Sequence, residues 1–131
     1  MRFRFVHASD LHLDTPFVGV GRLDDRIASA LRDASLEAWD ALVELTIHER
    51  ADFLLLAGDI YDGADRGVRA QLRFLHGIER LASNAIQVFI VYGNHDPLDG
   101  WSAIRKWPPN VTIFGSDAIE TAFAERRGER L

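Results

Sequence analysis

Three short segments place carboxylate, imidazole and amide groups directly after apolar runs: Asp10-Leu11-His12, Gly58-Asp59 and Gly93-Asn94-His95-Asp96. Oxygen and nitrogen donors without sulfur suit manganese, iron or zinc better than calcium. A pair of such cations about 3.5–4 Å apart can hold and cleave a phosphodiester. Asp10 and His12 stand two residues apart, so in extended backbone both point to one side and can share a metal. Asp59 is placed to bridge two cations, and Gly58 before it gives the backbone freedom to come close. Asn94 can offer a carbonyl oxygen, His95 a ligand nitrogen or a proton, and Asp96 can orient the imidazole. Each segment has a plainer alternative: an Asx-type turn beside an exposed histidine, a helix cap, a Gly-Asn turn. What favours the chemical alternative is that all three segments end a strand.

The elements that must position them alternate. A short strand is expected over Phe3–Val6, then a loop over 9–23 with Pro16, Gly19 and Gly21. Ile27, Leu31, Ala34, Ala38, Leu42 and Leu45 recur at helical spacing, predicting a helix from about Asp24 to Arg50 with Asp24 or Asp25 as its N-cap. Phe53–Ala57 is a continuous apolar run, as in a strand buried on both faces. A Gly/Asp-rich loop over 58–67 precedes a second helix, with Val68, Leu72, Leu75 and Ile78 or Leu81 on one stripe, ending near Asn84. Ile86–Val91 and Val111–Phe114 are further strands, separated by a loop over 92–110 with one turn of helix expected around Ser102–Lys106. Ile119–Ala124 suggests a fifth strand, followed by a turn at Glu125–Glu129 and a returning strand starting at Arg130-Leu131. Strand, helix, strand, helix, strand implies right-handed crossovers and a parallel sheet. Ligands of such sheets collect beyond the carboxyl ends of the strands, where all three segments fall.

Composition narrows the classes. The chain has 131 residues, 47% of them apolar and 27% charged, which is globular chemistry for one domain or part of one. It has no cysteine, so thiolate zinc sites and disulfides are excluded. No apolar run approaches the roughly 20 residues of a membrane span, and the first residues do not form a signal peptide; no membrane association and a cytoplasmic location are expected. The net charge of −5 argues against a simple nucleic-acid binding module. It does not argue against a nuclease whose cations supply the local positive charge. Of the 15 basic residues only Lys106 is lysine, and the arginines are scattered.

The three segments resemble, in order and spacing, the opening motifs of calcineurin-like metallophosphoesterases. His7 to Phe17, Gly58-Asp59-Ile60-Tyr61-Asp62, and Gly93 to Leu98 with Trp101 and Pro108-Pro109-Asn110-Val111 resemble its DNA repair exonuclease branch, of SbcD type and YhaO-like. The resemblance spans residues 3 to 115. It implies an α/β fold, a layered metallophosphoesterase sheet with flanking helices. Residues 1–131 would form the N-terminal part of a single domain, holding only that part of its β-sandwich. It implies that Asp10 and His12 hold a first metal, Asp59 bridges, and Asn94 holds the second. His95 would protonate the leaving oxygen or stabilise the transition state, steadied by Asp96. It further implies two divalent cations, manganese foremost, with DNA as substrate, an SbcC-like coiled-coil ATPase as partner, and homodimers or other self-association. The family's later single His and Gly-His-x-His element have no counterpart, since no histidine follows His95. His7, His48 and His76 sit on or beside expected strands and helices and do not replace them. The chain alone is therefore expected to be catalytically incomplete. Two other readings stay open: a phosphoesterase of the same fold acting on small esters, and a non-catalytic interaction scaffold. Two lesser features are Arg66, Arg69 and Arg73 on one helix face, and Trp101 and Trp107 beside the third segment. They suit phosphate or base contacts, or alternatively a solvated face and a core cover.

Overall fold

A computed structural model of the chain describes residues 2–15, 25–62, 67–93, 106–115 and 117–131. The elements run β1 (Phe5–Ala8), α1 (Asp25–His48), β2 (Phe53–Ala57), α2 (Val68–Ser83), β3 (Gln87–Val91), β4 (Val111–Phe114), β5 (Glu125–Arg126) and β6 (Glu129–Arg130). The first four strands form one sheet in the order β1-β2-β3-β4, every pair parallel. This is the expected α/β architecture, a parallel sheet with flanking helices.

Registers align Val6 with Leu54, Val88 and Val111, and Ala8 with Leu56, Ile90 and Ile113. Those residues face α1 and α2, and the core lies between. Leu36, Trp39 and Val43 of α1 and Phe74, Ile78 and Leu81 of α2 are buried against Leu54, Leu56, Val88 and Ile90. The Trp39 and Phe74 rings lie 4.7 Å apart, and the indole N–H donates to the Arg73 carbonyl at 3.2 Å. Gly77 makes that approach possible: a Cβ there would stand 2.4 Å from Trp39 Nε1. Between the helices, Arg69 pairs with Asp33, Arg73 with Asp40 and Arg80 with Glu44. The hydrogen bond and charge of Asp40 raise the Arg73 guanidinium further above its ordinary value. Arg69 and Arg73 are thus engaged by α1 carboxylates, not offered to phosphates, while Arg66 lies outside the described residues.

Several expectations are corrected. β1 lies two residues later than Phe3–Val6. Asp25 opens α1 and Asp24 lies outside the described residues. The α1 stripe is Leu36, Trp39, Val43 and Thr46; Ile27 and Leu45 are half exposed. Thr46 can be buried because its hydroxyl donates to the Leu42 carbonyl at 2.7 Å. On α2, Val68 and Leu72 are exposed, and Ala70, Phe74, Ile78 and Leu81 face inward. Residues 119–124 form no strand, and Ile119 is fully exposed. Instead β5 and β6 pair antiparallel across the two-residue turn Arg127-Gly128, both left-handed, the geometry such hairpins prefer. The turn expected near Ser102 to Lys106 lies outside the described residues up to 105.

The other face of the sheet carries Phe5 and His7 of β1, Phe53, Leu55 and Ala57 of β2, Phe89 and Val91 of β3, and Phe114 of β4. Phe5 stacks on Phe53 at 5.3 Å and 4°. Phe53 meets Phe89 edge-on at 5.8 Å, and Phe89 meets Phe114 at 6.4 Å. Among the described residues no helix covers this face. Nor is any described helix long and apolar enough to cross a membrane.

Candidate metal centre

The site grows out of a parallel ladder that continues past the ends of β1 and β2. The Asp10 amide donates to the Gly58 carbonyl at 3.0 Å, His12 to Asp59 at 3.0 Å and Leu13 to Ile60 at 2.9 Å. The backbone there is not extended. Asp10 (φ 57°), His12 (φ 44°), Asp14 (φ 59°) and Asp59 (φ 53°) are all left-handed. Asp and His tolerate that region better than most side chains, and such conformations cluster at functional sites. Leu13, Ile60 and Tyr61, all buried, tie both loops into the core.

The result is a convergence. Asp10, His12 and Asp59 each present one donor atom, and these atoms all lie within 4.8 Å of one another. Asp10 is exposed, and His12 and Asp59 are half-buried, so solvent reaches the cluster from one side. The structure therefore brings Asp10 and His12 together as a shared metal would need, but by another route than expected. Alternation along an extended strand does not bring Asp10 and His12 together; successive left-handed turns do.

Gly58 and Gly93 bring the third loop alongside. A Cβ at Gly58 would lie 2.8 Å from Gly93 Cα, and a Cβ at Gly93 would lie 2.1 Å from Asp59 Oδ1. The space vacated at Gly58 is thus filled by the backbone after β3, and that vacated at Gly93 by the Asp59 carboxylate. Asn94, His95 and Asp96 follow immediately and lie outside the described residues, as does Trp101. Trp107 is half-buried with its ring 6.0 Å from Phe74, so it covers the core. His7 stands on the bare face of the sheet, His48 in the last turn of α1 and His76 between the helices. None of these joins the Asp10–His12–Asp59 group.

Two carboxylates and an imidazole at this separation fit a divalent cation of the manganese, iron or zinc type. The glycine cradle that seats the Asp59 carboxylate leaves no room for another side chain. Two features escaped sequence reasoning: the Gly93–Asp59 contact and the contacts of Asp14 with α1 and α2. The alternation Asp10, His12, Asp14 was the available signal for the second.

The comparisons agree with this geometry. The family model for calcineurin-like phosphoesterases matches residues 3–125. An uncharacterized metallophosphoesterase, YhaO, of Bacillus subtilis (strain 168) is 39% identical over 128 residues, 97% of this chain and 31% of that protein. The DNA double-strand break repair protein Mre11 of Methanococcus maripaludis is 29% identical over 93 residues, 71% of this chain and 23% of that protein. Mre11 of Thermoplasma acidophilum is 24% identical over 132 residues, 95% of this chain and 32% of that protein. The chain thus spans about a third or less of the curated relatives it matches, and by its motifs, its sheet and its family match it belongs to the calcineurin-like phosphoesterases.

Proposed function

We propose that residues 1–131 form the N-terminal part of a single metallophosphoesterase domain, and that the domain hydrolyses phosphodiester bonds in DNA as an exonuclease subunit in repair. The observation that carries the reading is the meeting of Asp10, His12 and Asp59 beyond the carboxyl ends of parallel strands, donor atoms within 4.8 Å. The kinship with two proteins named for DNA double-strand break repair supports the choice of polymer substrate.

In this reading Asp10 and His12 would hold one cation, Asp59 would serve both and Asn94 would hold the second, manganese being the ion of choice. The chemistry two such cations supply at a rim of this kind is acidification of water and neutralisation of phosphoryl charge. His95 gives a proton to the leaving oxygen, a contribution of about 10²–10⁴ in rate, and Asp96 steadies its imidazole. The left-handed backbone at Asp10, His12 and Asp59 accompanies the meeting of their donor atoms. A cytoplasmic setting, a coiled-coil ATPase of SbcC type as partner, and assembly in pairs complete the proposal. Further histidines from outside residues 1–131 complete the ligand set, so the chain by itself binds cation without turning over.

Manganese titration of the chain by calorimetry tests the centre, and Asp59→Asn is expected to abolish the binding. Undiminished uptake by D59N overturns it. Cleavage of linear duplex DNA by the native-length protein with manganese tests the substrate. A native-length protein that hydrolyses nucleotide esters and leaves DNA intact overturns the exonuclease assignment in favour of a small-ester phosphoesterase.

A further inference from the structure

We infer that Asp14, Ser35 and Arg69 form a clasp that positions the metal-binding loop, making Arg69 a positioning residue for Asp10 and His12. The inference rests on the metal centre proposed above and extends it to residues that touch no cation.

The loop from Asp10 to Asp14 holds three left-handed residues, Asp10, His12 and Asp14. Each is a conformation that most side chains avoid and that persists where the surroundings hold it. One side of the loop is held by its backbone bonds to Gly58, Asp59 and Ile60. Among the described residues, Asp14 ties the far end of the loop to two helices at once, next to the buried Leu13. The Asp14 amide donates to Ser35 Oγ at 3.0 Å. The Ser35 hydroxyl donates its own proton to the Arg32 carbonyl at 3.0 Å, which leaves its lone pairs aimed at Asp14. The Asp14 carboxylate lies 3.5 Å from the Arg69 guanidinium, which also pairs with Asp33. Gly67, just before α2, gives the carboxylate its room: a Cβ there would stand 3.0 Å from Asp14 Oδ2. The Thr15 amide closes the turn on the His12 carbonyl at 3.3 Å.

Two consequences follow. The turn that carries His12 is fixed to α1 and α2 as well as to β2. And Asp14, a carboxylate two residues from a metal-binding histidine, has its charge matched by Arg69 and stays with the helices rather than competing for the cation. It is accordingly absent from the Asp10–His12–Asp59 group.

The experiment measures manganese affinity of the chain by calorimetry and by electron paramagnetic resonance, alongside the urea midpoint, for wild type, Arg69→Ala, Arg69→Lys, Ser35→Ala and Asp33→Asn. R69A and S35A are expected to weaken manganese binding by about tenfold, the lower end for residues that orient ligands without touching the metal. The R69A urea midpoint stays near wild type, because Arg69 is 57% exposed and exposed ion pairs contribute little stability. R69K restores most of the affinity. D33N leaves it unchanged, since the loop contact survives. Equal affinity in wild type and R69A overturns the inference and leaves the metal centre standing. Equal losses in R69A and D33N assign the effect to helix pairing and also overturn it. A wild-type chain that takes up no manganese overturns the clasp and the centre together.

Discussion

The two faces of the central sheet are built from the same strands and live in different surroundings. One face packs Leu54, Leu56, Val88 and Ile90 under α1 and α2, at 0–2% exposure. The other presents Phe5, Phe53, Phe89 and Phe114 in an aromatic series, with Phe5 48% exposed and Val91 45% exposed. Parallel sheets are ordinarily covered on both faces. The covered face therefore supplies the stability that holds the site; among the described residues no helix lies over the other face, although Phe89 is buried there. The loops of the metal centre leave the strand ends between them, anchored through Leu13, Ile60 and Tyr61 into the covered side.

The largest break in this comparison comes from the centre of the covered face. Phe74 is fully buried and touches the rings of Trp39, Tyr61 and Trp107 at 4.7, 6.0 and 6.0 Å. Phe74→Ala is expected to cost about 3–5 kcal/mol, seen as a large fall in the urea midpoint. A loss below about 1 kcal/mol would mean that the helices are not the main source of stability.

Gly77→Ala is the next step down and the sharper test of helix packing. In an exposed helix the change gains about 1 kcal/mol. Here the added methyl would meet the Trp39 ring at 2.4–2.7 Å, an overpacking worth about 1–3 kcal/mol, and would strain the bond from Trp39 to Arg73. The overpacking outweighs the gain, so G77A is expected to destabilise by up to about 2 kcal/mol by thermal melting. A stabilised variant would mean that α2 can slide away from Trp39.

How much of this was legible in the sequence follows from what each signal measures. Phe53–Ala57 and Val111–Phe114 were placed to the residue, because a short apolar run between turn residues has few alternatives. The α1 stripe was misplaced because Ala34 and Ala38 counted as much as Trp39. Large side chains decide which face turns inward, and the alanines here are exposed. Thr46 joins the buried stripe because its hydroxyl donates to the Leu42 carbonyl, which no count of apolar residues registers. Ile119–Ala124 has strand composition, but strand formation needs a neighbouring edge, and composition does not supply one. At the site, residue types pointed to Asp10, His12, Asp59 and Asn94; the structure brings the first three together, and Asn94 lies outside the described residues. Their convergence comes from left-handed φ values, which no hydrophobic pattern records, and the clasp at Asp14 joins residues far apart in the chain.

The smallest expected effect on stability, and the one that most sharpens the contrast between faces, is at Phe5. It sits on an edge strand, stacked on Phe53 at 5.3 Å, with half its surface in water. Phe5→Thr keeps a residue suited to strands and removes one cross-strand aromatic contact, worth about 0.2–1 kcal/mol. The stability loss should therefore stay below about 1 kcal/mol, several-fold less than F74A. Its effect on association should run the other way. An exposed apolar face of this kind pairs with other surfaces, so the chain is expected to self-associate in sedimentation velocity, and F5T to shift it toward monomer. Were F5T as costly to folding as F74A, the aromatic face would be a second core rather than a docking layer. Were sedimentation unchanged by it, association would have to run through another surface, the outer edge of β4 being next in line because, among the described residues, no strand pairs with it and its backbone donors and acceptors can recruit one.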